Sequence, residues 1–276
     1  MNGDEWNGRQ IDPDSVSPWV HAEWRGSERD TWQQFIFPFL TTSFCKTTAV
    51  IWSASRRPFF LMQVFRQRLG SMRKALKGKA ELVFMDGPFE AEESDGQKNS
   101  TGRSWWCWQN IDGSNDRPSG AAHYTGWEVS QRDIDEVLER EGPIDGMLGF
   151  SQGATAASLY IAHKLLGKEK HVDSRHGTIK FLVLVSGFIP RDDAQACIIR
   201  EASPIMLNTL HVAGEQDELV PCTRSAELWN CFDPSKRSIF LHSGRHMVPT
   251  CTGKFKVELL NFMDSFDESV SDVDKR

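Results

Sequence analysis

Hydrophobic and polar positions fall into regular patterns only from about Val64 onward. Phe65, Leu69, Met72 and Leu76 recur at helical spacing, with Arg66, Arg68, Arg73 and Lys74 on other faces, and Lys77-Gly78-Lys79 ends that helix. Ala80 to Met85 is an apolar run closed by Asp86-Gly87-Pro88, which predicts a buried strand and a turn. Val129, Asp133, Ile134, Val137 and Leu138 mark a second helix, ended by Gly142-Pro143. Ile144 to Phe150 reads as a strand, Ala154 to Leu166 as a buried helix, and Gly167 to Gly177 as a charged connection. Further strands are predicted at Lys180–Ser186, Leu207–Ala213 and Ser238–His242, and helices at Thr223–Phe232 and Lys254–Phe266. Strands alternating with helices imply an α/β fold: a mostly parallel sheet covered by helices on both faces. In such sheets function sits at the carboxyl ends of the strands.

Two stretches depart from this alternation. Residues 1–63 hold five of the ten tryptophans but little sustained periodicity. Within them Thr47–Trp52 fits a strand, and Asp30 fits the cap of a short helix through Phe37, stopped by Pro38. The chain therefore divides into an atypical N-terminal segment, 1–63, expected to be a docked arm, a partner surface or a poorly folding piece; an α/β domain, 64–266; and a polar tail, 267–276. The second departure is Glu90 to Pro118, a polar excursion around Arg103-Ser104-Trp105-Trp106. A loop of that length in an α/β domain often walls a pocket, and Trp105 and Trp106 are its candidate lining, with a plug at the core edge as the alternative.

Composition narrows the function. With 276 residues and a formal charge of −6, the chain shows no basic surface for nucleic acid or anionic membrane. Six scattered cysteines without a Cys-x-x-Cys pair argue against a disulfide framework or metal site, and fit reduced thiols in the cytoplasm, with the nucleus as a further compartment. The polar start, Met1 to Gln10, holds no signal-peptide core, and the most apolar window, Trp32 to Trp52, is too interrupted for a membrane span.

The candidate chemistry lies in Gly149-Phe150-Ser151-Gln152-Gly153. Gly-x-Ser-x-Gly between a strand and a helix is a nucleophile elbow, a turn so tight that the flanking positions carry almost no side chain. Five residues recur by chance, so their partners matter. A serine hydroxyl needs an imidazole to take its proton and a carboxylate to orient that imidazole. After Leu207–Ala213 comes Gly214-Glu215-Gln216-Asp217-Glu218; after Ser238–His242 comes Ser243-Gly244-Arg245-His246. Both loops follow strands, in the chain order Ser, Asp, His of α/β-hydrolases. Asp217 is the candidate acid, with Glu215 and Glu218 as rivals, and His246 the candidate base, with His242 as its rival.

Together with that elbow and those loops, Asp86-Gly87-Pro88, Arg103-Ser104-Trp105-Trp106 and Leu184-Val185-Ser186-Gly187-Phe188 resemble the family of small serine hydrolases that includes the ovarian-cancer-associated hydrolase and its fungal relatives. The resemblance runs from about Val64 to about Phe266. It implies an α/β-hydrolase fold and an intracellular esterase acting on small-molecule acyl esters through Ser151, Asp217 and His246, with no metal and no organic cofactor. It also implies the backbone N–H of Gln152 as one oxyanion donor. Acyl-protein thioesterases share the Gly-Phe-Ser-Gln-Gly elbow, so a thioesterase or deacylase is an alternative. One motif is absent: no His-Gly dipeptide precedes Ser151, where that family carries a His-Gly-x-x-Gln loop with the second oxyanion donor. This predicts a poorly paired interior strand and a donor drawn from Ser53-Ala54-Ser55, and it opens the further alternative of an impaired, hydrolase-like binding protein.

Overall fold

A computed structural model of the chain describes residues 47–53, 66, 69–91, 103–113, 121–167 and 179–266. Its frame is a six-stranded sheet of β1 (Thr47–Ser53), β2 (Ala80–Asp86), β7 (Gly146–Phe150), β8 (Phe181–Val185), β9 (Asn208–Gly214) and β10 (Arg237–His242). The order is β10-β9-β8-β7-β1-β2, and every neighbouring pair is parallel. Two short antiparallel ladders, β3 (Phe89–Glu90) with β4 (Arg103–Ser104) and β5 (Cys107–Asn110) with β6 (Ala122–Thr125), join strands of the polar excursion to one another and to the residues that flank it. The helices are α1 (Gly70–Ala75), α2 (Trp127–Glu141), α3 (Gln152–Leu166), α4 (Asp193–Glu201), α5 (Cys222–Trp229) and α6 (Gly253–Asp264).

The apolar runs are continuous because the sheet is buried on both sides. Along β8, Leu182 and Leu184 face one core cluster, whereas Phe181, Val183 and Val185 face the other. The first cluster gathers Ile134 of α2, Ala157 and Leu159 of α3, Ile199 of α4 and Leu228 of α5. The second is closed by Met72 of α1 and by Phe255, Leu259 and Met263 of α6. No described helix is long and apolar enough to cross a membrane.

Most predicted elements recur with shifted ends. The strand expected from Ile144 begins at Gly146; of the helix expected from Phe65, Arg66 is helical and the run from Gly70 is described, while Phe65, Gln67 and Arg68 lie outside the described residues. The expected helix at Asp30–Phe37, the connection 168–178, the loop stretches 92–102 and 114–120, and the tail from 267 lie outside the described residues. Helix α4 was not foreseen. Its signal is Asp192, whose side chain accepts the Gln195 N–H at 3.1 Å, an N-cap at the head of a short amphipathic turn.

Against the expectation of poor pairing, β1 is matched on both edges. Thr47 to Ser53 runs beside Ala80 to Asp86, and Ala49 to Ser53 beside Gly146 to Phe150. The interior place next to the elbow strand is filled by a segment whose surroundings in sequence are unpatterned.

The turn after β2 holds the excursion against the sheet. A Cβ on Gly87 would lie 2.3 Å from the Ser104 carbonyl oxygen, so only glycine allows this approach. Arg103 donates from Nε to the Gly87 carbonyl at 2.9 Å and from Nη2 to the Pro88 carbonyl at 2.6 Å, fastening β4 to the turn.

His211 of β9 lies wholly in the core, with ring centroids 5.0 Å from Phe232 and 6.3 Å from Trp229. Burial, with the nearby Arg237 cation, pushes its pKa from 6.5 down to about 3. The unfolded chain therefore binds a proton at this residue at a higher pH than the folded one does. Stability from the neutral imidazole is fully present above 6.5 and is lost as pH falls from there towards 3. His211→Phe is expected to flatten the acid limb of stability, removing up to about 1.4 kcal/mol per pH unit. Thermal melts of both proteins at pH 7.5 and 5.5 check this, and parallel pH dependences would contradict it.

Candidate active site

The site is assembled from the carboxyl ends of β7, β8 and β9 and the loop after β10. Between β7 and α3 the backbone turns at Ser151 with φ 56° and ψ −122°, a conformation rare for a side chain other than glycine. The close approach of α3 makes the turn possible. A Cβ on Gly149 would sit 2.5 Å from the backbone of Ala154, so that position has to be glycine. The Ser151 N–H donates to the Val185 carbonyl at 2.8 Å, tying the elbow to the neighbouring strand.

His246 lies against this turn, its ring 4.8 Å from that of Phe150. Its Nε2 is 2.9 Å from Ser151 Oγ, and its Nδ1 is 2.7 Å from Asp217 Oδ2. The Asp217 side chain is fully buried and that of His246 is 16% exposed. Asp217 takes four hydrogen bonds. Oδ1 accepts the N–H groups of Leu219 at 3.0 Å and Val220 at 2.8 Å; Oδ2 accepts the Ser186 hydroxyl at 3.0 Å and the imidazole. A carboxylate fixed this way keeps the imidazole proton on Nδ1 and leaves Nε2 as an acceptor towards the serine.

The rivals fall elsewhere. Glu215 and Glu218 are exposed. His242 accepts the Gly244 N–H at Nδ1, 3.1 Å away, and burial lowers its pKa. It serves as a prop for the loop that carries His246. Among the described residues no group of three or more His, Cys, Asp or Glu is arranged to hold a metal ion.

Gln152 begins α3, and its side chain accepts the Trp105 N–H at 2.9 Å, with the Ser104 hydroxyl 3.0 Å away. Of the two roles left open for the tryptophans, their burial favours the plug at the core edge. Trp105 and Trp106, expected along an acyl pocket, are 0% and 2% exposed and belong to the core cluster. Trp106 stacks on Tyr124 at 4.8 Å and meets Trp127 edge-on at 6.1 Å. The loop's backbone is held at both ends, so its rings turn inward. The Ser130 hydroxyl donates to the Trp105 carbonyl, and Gln152 takes its N–H.

Two residues of the site were not singled out from sequence. Ser186 is wholly buried with φ 49°, a strained position at the end of β8 that aims its hydroxyl at Asp217. Thr155 accepts the Phe188 N–H at 3.1 Å and donates to the Phe188 carbonyl at 2.8 Å, which pins the loop after Ser186 to α3. The motif Leu184 to Phe188 contained the first of these without revealing its target.

A parallel sheet bearing a serine elbow, with an acid and a histidine in loops beyond later strands, defines an α/β-hydrolase. Solved structures agree. Esterase PE8 superposes with a TM-score of 0.53 over 80% of this chain and 92% of that one at 16% identity. Acyl-protein thioesterase 2 of Zea mays gives 0.52 over 80% and 93%, also at 16% identity. The family model described as Serine hydrolase (FSH1) matches residues 61–256, and the chain belongs to that family. Among its relatives, Esterase OVCA2 of Homo sapiens is 34% identical over 215 residues, covering 74% of this chain and 91% of the relative. The chain is thus a serine hydrolase, as its motifs led one to expect.

The burial of the tryptophans sets their expected role. Trp106→Ala should lower stability by about 3–5 kcal/mol, as large-to-small changes in a core do. It should leave the preference between long-chain and short-chain esters unmoved. Denaturant unfolding and paired kcat/KM values test both halves; a selective loss on long chains would return Trp106 to a pocket wall.

Proposed function

We propose that this hydrolase cleaves carboxylic esters of small molecules, with Ser151 as nucleophile, His246 as general base and acid, and Asp217 as the group that orients His246. The observation that carries the proposal is the continuous chain of contacts from Ser151 Oγ to His246 Nε2 at 2.9 Å and from His246 Nδ1 to Asp217 Oδ2 at 2.7 Å. The name of the human relative, an esterase, supports the ester as the bond attacked.

The steps follow from the atoms in place. Ser151 Oγ attacks the ester carbonyl carbon as its proton passes to His246 Nε2. The carbonyl oxygen becomes an oxyanion and accepts the backbone N–H of Gln152, the first residue of α3. The tetrahedral adduct collapses, the C–O bond to the alcohol breaks, and the alcohol leaves with the proton from His246. Water then attacks the acyl-Ser151 carbonyl as His246 takes its proton; the second adduct collapses, the acyl C–Oγ bond breaks, Ser151 Oγ takes the proton back from His246, and the free acid departs. The second oxyanion donor is assigned to the chain leaving β1. Ser53 lies opposite Phe150, one residue before the nucleophile, whereas Ala54 and Ser55 fall outside the described residues.

Cys197, Cys222, Cys231 and Cys251 carry free thiols, which fits a reducing compartment and supports a place in the cytoplasm or nucleus. Ser151→Ala and His246→Ala should each reduce hydrolysis of a chromogenic ester by roughly three orders of magnitude or more, because triad members act as a unit. Labelling by a fluorophosphonate probe should vanish with Ser151→Ala. Full activity in His246→Ala, or labelling that survives loss of Ser151, would overturn the assignment.

A further inference from the structure

A cavity of roughly 500 Å³ lies among the loops that leave β8 and β9 and the helices α4 and α5, and three arginines, Arg191, Arg200 and Arg224, line it. It shares walls with the site. Leu219 lines the cavity, and its N–H holds Asp217 Oδ1. Ile189 and Pro190 line it too, and they follow Phe188, the residue clamped to Thr155 in the first turn after Ser151. The loops concerned leave the carboxyl ends of β8 and β9, while Ser151 leaves β7, the next strand in the sheet.

Among the described residues neither Arg191 nor Arg224 forms an ion pair. Arg191 and Arg224 are both half-buried. Nη1 of Arg191 is shielded from solvent and has no hydrogen-bond partner among the described residues. The charge acting on Arg191 is a second cation: after burial, the Arg224 guanidinium is the next cause that holds its pKa below the ordinary arginine value. Arg224 lies over the Phe188 ring, 4.7 Å from its centroid, which fixes the plane of its fork. Arg224 also belongs to the first turn of α5, a helix that has no side-chain cap and no acidic residue in that turn, and whose N-cap Pro221 lines the same cavity. The positive end of the helix dipole therefore adds to the two guanidinium groups. Asp193, Glu218 and Glu227 also border the cavity, but all three are exposed, where water screens them. Two like charges held together in a partly desolvated wall repel each other until an anion enters between them.

We infer that this cavity receives an anionic group, a carboxylate or a phosphate, carried by the ester that Ser151 attacks. The inference rests on the esterase reading and narrows its substrate class to esters that carry a negative charge away from the scissile carbonyl. Arg191 and Arg224 are the specificity-determining residues, each offering a planar fork of N–H donors that matches either oxyanion.

Three chromogenic esters of equal acyl length, ending in a carboxylate, a phosphate and an uncharged amide, provide the test. The wild-type protein should favour at least one anionic ester over the amide by about tenfold or more in kcat/KM, the size expected of a charge-assisted hydrogen bond. Whichever anion wins identifies the group. Arg191→Met and Arg224→Met should each bring that ratio towards one, and Arg191→Lys should restore part of it. A wild-type ratio of one or less, or a ratio that neither methionine variant moves, overturns the inference. If Arg191→Met fails to fold by circular dichroism, Arg224→Met decides alone. The esterase reading is separated by calorimetry on Ser151→Ala, titrated with glutarate and with inorganic phosphate. Binding that disappears in the Ser151→Ala, Arg224→Met double variant sustains the anion site even if no ester is cleaved. Absence of binding together with normal fluorophosphonate labelling of the wild type removes the anion site and leaves the esterase.

Discussion

The structure depends on one strained turn. Ser151 holds φ at 56° only because β7 delivers the chain into a space already closed by α3, with 2.5 Å between a hypothetical Cβ on Gly149 and the Ala154 backbone. Such strain persists where its surroundings over-determine it. Here the determinants are the hydrogen bond from Ser151 N–H to Val185, the fully buried β7 and β8, and the run of small residues from Gly153 to Ala157 that lets α3 lie close to the sheet. The core therefore does more than stabilise. It sets the height and direction of a single hydroxyl.

A second constraint is the burial of Asp217. A carboxylate taken out of water is costly unless its lone pairs are satisfied, and this one has four donors around it. Two of them are backbone N–H groups of its own loop, so that loop closes around the charge. The third is Ser186, itself in a left-handed conformation at the end of β8. The strand ends thus carry two strained serines, one with its hydroxyl at His246 and one with its hydroxyl at Asp217. The fourth donor is His246, whose ring orientation follows from the fixed carboxylate.

Much of this could be read from the chain, for a physical reason. Parallel strands buried on both faces write themselves as apolar runs, and the elbow needs glycine at fixed offsets. The two loops bearing Asp217 and His246 follow strands in a set order. What stayed hidden is decided by contacts between distant segments. Trp105 and Trp106 look the same in sequence whether they face a pocket or a core; the choice is made by Gln152 and Ser130, which hold the loop backbone and turn the rings inward. Ser186 is an ordinary residue until the fold places Asp217 beside it. Helix α4 carried a legible cap in Asp192 and Gln195 but too short an apolar pattern to be seen. β1 reads as a weak strand, and only its register with β2 and β7 shows that it fills the interior of the sheet.

Gln152 joins these layers in one residue. Its main chain starts α3 at the nucleophile, and its side chain ends on the backbone of the tryptophan loop. That loop is fastened to the end of β2 by Arg103 and by the close approach at Gly87. The residue that the mechanism asks to present an N–H is thereby braced from the far side of β1, two strands away in the sheet. A donor of this kind acts only if it is already aimed when charge develops, because any reorientation would consume the stabilisation it offers. The buried tryptophans thus serve the chemistry indirectly. Their packing makes the loop rigid, the rigid loop fixes the Gln152 side chain, and the fixed side chain steadies the first turn of the helix, where the proposed mechanism puts the oxyanion.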